Sequence, residues 1–246
     1  MKKYQSMTIK KLNCAAPYDF ENIFIRQVGS KEELIQAFQV RWKGYAKYFH
    51  SKREMIDKYD LAPNMTILLA QDEHHNPVGT LRILDRGYGS IELDEYIDVD
   101  SLLPQNDKRC AEATRFSIPV HPQAMLIKLF LWKSFLIYCL KNKINTILIS
   151  GRPAIRRVYK NLLSFDDVGP PGVYYHSLLG NLEHHCFIWN MEKNRPLLRA
   201  HNPSLYDFLF IQYHPSIHKN CYHSFQPGNF ILRIRVPYKE TIWAHR

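Results

Sequence analysis

The stretch CAEATRFSIP, Cys110–Pro119, decides how the rest of the chain is read. Its small and apolar residues give it strand character, yet it carries Glu112, Thr114 and Arg115 in its middle. A charge in a strand that packs into a core is costly unless a partner meets it. If the strand alternates regularly, Glu112 and Thr114 share one face with Cys110 and Phe116, and Arg115 occupies the other. One face then offers a carboxylate and a hydroxyl to a cleft, and the other a guanidinium to an anion or an acidic neighbour. The strand read at VGTLRILD, residues 78–85, repeats the anomaly with Arg82. Two readings stay open here: a functional site, or a structural ion pair between Glu112 and Arg82.

Working outward, FENIFIRQV (20–28) has strand character, and Ser30 with Glu33 makes a capping box for a helix over 31–48. MTILLAQD (65–72) and 78–85 form a hairpin around the turn 74–77, and a polar, acidic excursion leads to the opening stretch. An apolar helix over 123–142, a buried strand NTILIS (145–150), a helix GRPAIRRVYKNLL with Pro153 in its first turn, a turn-rich loop SFDDVGPPGVYYH and a strand HHCFIWNM (184–191) complete the domain. This order predicts an α/β domain over 20–195 with a mixed sheet, preceded by an extension 1–19 and followed by an appendage 196–246. In the appendage Ser204 is the expected cap of a helix LYDFLFIQY, and FILRIRV is an expected strand.

The chain has 246 residues with 33 Lys and Arg against 23 Asp and Glu, a net charge of +10. That surplus favours acidic partners: nucleic acid, an anionic membrane surface or an acidic carrier protein. Nucleic acid falls behind, because no dense basic run or reading motif is present. The five cysteines are scattered, without a Cys-x-x-Cys, which argues against a disulfide framework or zinc site and for a reducing, cytoplasmic setting. No segment reads as a secretory signal or a transmembrane span, so membrane contact would be peripheral. Adjacent His184 and His185 point to opposite strand faces and cannot chelate together, and no metal is expected. Cys186 paired with His176 or His184 could be read as a nucleophile, but nothing local activates it.

Taken in order, QVRWKGYAKYF with Arg41, MIDKYDLAPNMTILLA with Asp57 and Asp60, VGTLRIL with Arg82, AEATRFSI with Glu112, Thr114 and Arg115, and VGPPGVYYHS resemble the GNAT acyltransferase superfamily. The branch is that of acyl-homoserine-lactone autoinducer synthases, long-chain N-acyl amino acid synthases and exosortase-associated acyltransferases. The resemblance spans roughly residues 20–191, and its most specific element, Glu-x-Ser-Arg-Phe, here has Thr114 in place of Ser.

The resemblance implies a GNAT-like mixed central sheet flanked by helices, with a C-terminal appendage. It implies an N-acyltransferase that moves a fatty acyl group from an acyl carrier protein thioester to the amine of an amino acid or derivative, with no bound cofactor. An acyl-homoserine lactone synthase, a coenzyme A-dependent N-acetyltransferase and a non-catalytic lipid-binding relative are the alternatives. Such chemistry needs a base for the amine, an N–H donor for the oxyanion and an apolar channel for the tail. Glu112 is the implied base or water relay, with Thr114 and Arg115 beside it. A backbone amide within 116–120, other than that of Pro119, is the implied oxyanion donor. Arg41, Asp57, Asp60 and Arg82 would frame the pocket, and Trp42, Phe49 and Phe116 would line it. Coenzyme A-dependent members carry a glycine-rich loop after this strand, but VHPQAM has no glycine, which favours a carrier-protein donor over acyl-CoA. Lys128, Lys133, Arg152, Arg156 and Arg157 are the expected docking charges.

Overall fold

The computed structural model of the chain describes residues 22–105 and 107–218. The expected extension 1–19 and the strand expected at FILRIRV, residues 230–236, lie outside them. In chain order the main elements are β1 (Ile23–Gln27), α1 (Lys31–Tyr45), β2 (Met65–Asp72), β3 (Pro77–Asp85), β4 (Cys110–Ser117), α2 (Ala124–Lys141), β5 (Thr146–Gly151), β6 (Asp166–Asp167), β7 (Val173–His176), β8 (Leu182–Asn190) and α3 (Met191–His201). They build one sheet of order β1-β2-β3-β4-β5-β8-β6, with β7 also paired to β8. The expected α/β class with a mixed sheet and flanking helices is what the chain adopts. The two short strands β6 and β7 lie within SFDDVGPPGVYYH, which the sequence presents only as a loop.

Ser30 caps α1 by accepting from the Glu33 N–H at 3.1 Å, while the Glu33 carboxylate reaches back to the Gly29 N–H at 2.8 Å. The helix stops at Tyr45, short of the expected Tyr48, and Ala46–Tyr48 continues as a single 3-10 turn. Leu34 and Ala37 of α1 pack on Ile67 and Leu69 of β2, covering one face of the sheet.

The other face is covered by α2, whose Ile127, Phe130, Leu131 and Phe135 are fully buried. This helix is apolar nearly all round because it is packed on both sides, against the sheet and against the segment after β8. Its passage over the sheet is the crossover that makes β4 and β5 parallel; every other pairing is antiparallel.

The segment after β8 belongs to the same core. Helix α3 runs across the expected boundary at 195/196, and Leu198, Leu205, Phe208, Leu209 and Ile217 join the main hydrophobic cluster. Asn202, rather than Ser204, caps the next turn by accepting from the Leu205 N–H at 3.2 Å. Lys133 is part of this packing and not a docking charge. Only 1% exposed, it donates from α2 to the carbonyl oxygens of Phe208 and Gln212, the latter at 2.5 Å. Phe208 lies within a π-helical turn, Asp207–Ile211, and Gln212 directly follows it, so the ammonium ties α2 to this turn. Burial pushes the Lys133 ammonium down to about 8.

Among the described residues no helix is long and apolar enough to cross a membrane, and no group of His, Cys, Asp and Glu is arranged to hold a metal ion. Lys133→Met keeps the stem of the side chain but strands two carbonyls. It is expected to cost about 1–3 kcal/mol per unsatisfied group, read as a lower midpoint in urea unfolding; an unchanged midpoint would show that the ammonium does not tether the C-terminal segment.

Candidate active site

Strands β4 and β5 stay in register only from Cys110↔Thr146 to Ala113↔Ile149. Beyond that they part, and a cleft of about 780 Å³ opens between Thr114–Ile118 on one side and Ile149–Arg152 on the other. That size suits a small-molecule ligand. Trp132, Leu129, Tyr159 and Leu162 supply an apolar wall, while Glu92, Thr114, Arg115 and His176 make a polar end.

The bend in β4 has a visible cause. On the β3 side Thr80 pairs with Ser117 but Arg82 pairs with Thr114, so β4 spends one extra residue there. Arg115 takes this bulge with φ of 50°, in the left-handed region that costs a non-glycine residue strain. The bulge overturns the simple alternation expected from the sequence. Arg115 now reaches the same carboxylates as Arg82, on the side of Glu112 and Thr114, while Phe116 turns to the α2 face and meets Trp132 edge-on at 5.8 Å.

Beneath the cleft lies a buried ionic lattice. Arg82 donates to Asp57 Oδ1 at 2.5 Å, Asp60 Oδ1 at 2.9 Å, Glu92 Oε2 at 3.0 Å and Thr114 Oγ1 at 2.8 Å. Arg115 Nη2 meets Asp57 Oδ2 at 2.6 Å and Glu92 Oε1 at 2.7 Å. Arg41, on α1, places Nη1 at 2.7 Å from both oxygens of Asp60. Asp57 and Asp60 are held for this by a tight turn, Lys58–Leu61, in which Asp57 caps the Tyr59 N–H and Asp60 accepts from the Asp57 N–H. The ion pair between Glu112 and Arg82 that the sequence left open is not among these contacts; Asp57, Asp60 and Glu92 take the guanidinium instead. Nε of Arg115 is buried without a hydrogen-bond partner among the described residues.

The electrostatics follow from these partners. Burial pushes Asp60 up, but Arg41 and Arg82 outweigh it and hold the carboxyl below its ordinary range. At Glu92 burial is likewise outweighed, by Arg115, then the His176 hydrogen bond and Arg82, and this carboxyl stays ionised. Glu112 has no such guanidinium contact. Its Oε2 accepts the Leu93 N–H at 3.1 Å, but burial, and next the negative charge of Glu92, push it up to about 8. Two neighbouring carboxyls are thus driven apart, one ionised and one protonated at neutral pH.

Of the residues picked out in the sequence, the structure brings together Arg41, Asp57, Asp60, Arg82, Thr114 and Arg115 in the lattice and Phe116 on the cleft wall. Glu112 lies behind Glu92 and does not line the cleft. Trp42 and Phe49 are half-buried and do not line it either; Tyr45 and Tyr48 of the same segment do. Cys186 is a fully buried thiol, driven upward by burial, which is no nucleophile. Sequence reasoning does not single out Glu92 or Tyr96, and it weighs His176 and His184 only as partners of Cys186, with His184 also weighed as a metal ligand. Glu92 hides in an acidic run, though its place between apolar Ile91 and Leu93, both buried, is a signal. His176 ends a strand whose burial alternates, Tyr174 and His176 inward.

Residues 36–180 match the protein family described as N-acyl amino acid synthase FeeM. No curated protein matches the chain. Among solved structures, the chain is similar to FeeM, an N-acyl amino acid synthase from uncultured soil microbes, with a TM-score of 0.60 and 18% identity over 71% of this chain and 93% of that one. It is also similar to the CoA-dependent acyl-homoserine lactone synthase BjaI, with a TM-score of 0.55 and 15% identity over 78% and 92%. The AHL synthase LasI gives a TM-score of 0.51 and 17% identity over 74% and 94%. At these identities the likeness establishes a shared GNAT-type fold.

Two outcomes follow from the lattice. Asp60→Asn strips Arg41 of its carboxylate and is expected to cost about 3–5 kcal/mol in denaturant unfolding; a loss within error of zero would show the lattice to be dispensable. Glu112 is raised from 4.5 to about 8 on folding, so the native state holds a proton the unfolded chain releases. Its contribution is full below about 4.5 and is lost as pH rises towards 8. The stability of Glu112→Gln relative to the unmodified chain should therefore increase between pH 5 and 8; a pH-independent difference would contradict the raised carboxyl.

Proposed function

The chain belongs to the N-acyl amino acid synthase FeeM family and is an acyltransferase of the GNAT fold, and on that footing we propose that it moves a long-chain fatty acyl group from an acyl carrier protein thioester to the amine of an amino acid or derivative. The observation that carries this reading is the cleft between the parting strands, apolar along the α2 side and charged at one end. A thioester entering between β4 and β5 lays its tail against Trp132, Leu129 and Leu162 and brings its carbonyl to β4.

The backbone N–H groups of β4 past Ala113 are released from pairing with β5, and those of 116–118 are the donors for the oxyanion. An amine held at the polar end attacks the thioester carbon from beside Thr114 and Arg115. Glu112 serves as an internal base in its ionised form, whose share grows as pH rises towards 8, and it acts through a relay because it is set back from the cleft.

Carrier protein is the donor that the surroundings favour. Strand β4 joins α2 through IPVHPQ (118–123) without a glycine, where a pyrophosphate would need a close backbone cradle. Lys128 and Arg152 line the cleft, and Arg157 is exposed nearby in sequence, so a single phosphodiester and an acidic surface find cations there. Arg156 is partly committed to Asp167.

The test is a mass-resolved assay offering carrier thioesters of several chain lengths, the matching acyl-CoAs and a pool of amino acids. An N-acyl amino acid formed from the carrier thioester, and reduced at least about 100-fold in Glu112→Gln, is the expected outcome. Product from acyl-CoA alone would replace the donor, and no product from either would overturn the reading. With the carrier thioester, Arg152→Glu should raise KM with little change in kcat and lessen its salt dependence; an unchanged KM would remove Arg152 from the docking surface.

A further inference from the structure

An acceptor amine arrives as an ammonium and ends as an amide N–H, so it must give up two protons in all. One leaves before attack, freeing the nitrogen lone pair. The other leaves after the C–N bond has formed, and the departing sulfur takes one proton as the C–S bond breaks. A single set-back carboxyl such as Glu112 serves one of these transfers; the cleft holds a second group fitted to the other.

His176 lines the cleft at its polar end, with its ring buried at 3% exposure. Its Nε2 lies 3.1 Å from Glu92 Oε1. An ionised carboxylate only accepts, so Nε2 carries a proton, and in the neutral ring the lone pair is on Nδ1. Nδ1 meets the Tyr96 hydroxyl at 3.3 Å, which has a closer partner in Ser177 Oγ at 3.0 Å. Nδ1 is therefore weakly engaged, while Nε2 is held in place by Glu92.

We infer that His176, oriented by Glu92, accepts the first proton of the acceptor amine at Nδ1, the Tyr96 hydroxyl keeping its closer bond to Ser177 as the amine engages the ring. This rests on the acyl-transfer reading above. In balance, the amine N–H pair becomes the attacking lone pair and its proton goes to Nδ1. The carbonyl π pair moves to oxygen and returns as the C–S bond breaks. The second amine proton offsets the thiolate, and the proton on the imidazolium goes to solvent.

The charged and titratable neighbours agree with this. Glu92 faces the ring from the 86–105 excursion together with Tyr96, and Arg115 from β4 and Arg82 from β3 act on it through Glu92. His184 on β8 stacks edge-on at 5.2 Å, and burial lowers it, so it stays neutral and does not oppose the imidazolium. Tyr174 on β7 lies at 6.1 Å, and protonated Glu112 adds no charge.

The experiment compares the intact chain with His176→Gln, which retains a donor to Glu92, across pH in the same transfer assay. Expected is a loss of about 100-fold or more in kcat, a KM for the acyl donor within about threefold, and an acid limb of the pH profile shallower by about one proton. Partial rescue of His176→Gly by added imidazole is expected as well. Should His176→Gln fail to fold, by its melting curve, His176→Asn and the imidazole rescue give the same reading. An active parent with an unaltered kcat and pH profile in His176→Gln, or with no rescue of an inactive glycine variant, overturns the assignment alone. A parent inactive with every donor overturns the acyl-transfer reading and this assignment together.

Discussion

Arg82 is buried in the middle of the sheet, on the strand that neighbours β4, and its charge cannot be left there unmet. Asp57 and Asp60 come from the turn before β2, Glu92 from the excursion after β3, and Thr114 from β4. One guanidinium thus pins three separate stretches of chain to β3, and Arg41 and Arg115 extend the lattice to α1 and to the cleft. With Arg41, Arg82 and Arg115 set against Asp57, Asp60 and Glu92, the cations and anions balance. Burial, and next the negative charge of Glu92, leave Glu112 holding its proton beside this balanced set. Apolar replacements of such a lattice can be as stable, so its retention fits a role in fixing geometry.

The bulge at Arg115 converts that lattice into a site. Without the extra residue, Arg115 would point to the α2 face and the strand would continue in register beside β5. With it, the guanidinium joins the lattice, Phe116 joins the apolar wall, and the parallel pair opens after Ala113. Charged end and apolar channel therefore arise from the same local irregularity. The close fit of α1 to this strand belongs to the same design: a side chain at Gly44 would collide with the Ser117 hydroxyl, which itself donates to the Val40 carbonyl at 3.1 Å.

Much of this was legible in the sequence because buried charges are rare and stand out. Arg82, Glu112 and Arg115 identify themselves as anomalies in apolar strands, and the helices over 31–48 and 123–142 follow from spacing. The sense of Arg115 was not legible, because alternation presumes a regular strand and nothing in EATRF marks a left-handed residue. Lys133 reads as a surface cation until its carbonyl partners from a segment some seventy residues on are known. Glu92 is indistinguishable by composition from the acids around it, and the aromatics Tyr45 and Tyr48 differ from Trp42 and Phe49 only in which way the end of α1 faces. Long-range partners, rather than local propensity, decide each of these cases.

The most direct test of the central claim is a crystal structure with a non-hydrolysable acyl-pantetheine in which an amide replaces the thioester. The account predicts the acyl chain along Trp132 and Leu162, the pantetheine between β4 and β5, and the carbonyl oxygen facing the amides of 116–118. Ordered ligand seated elsewhere, with the space between β4 and β5 unfilled, would contradict it.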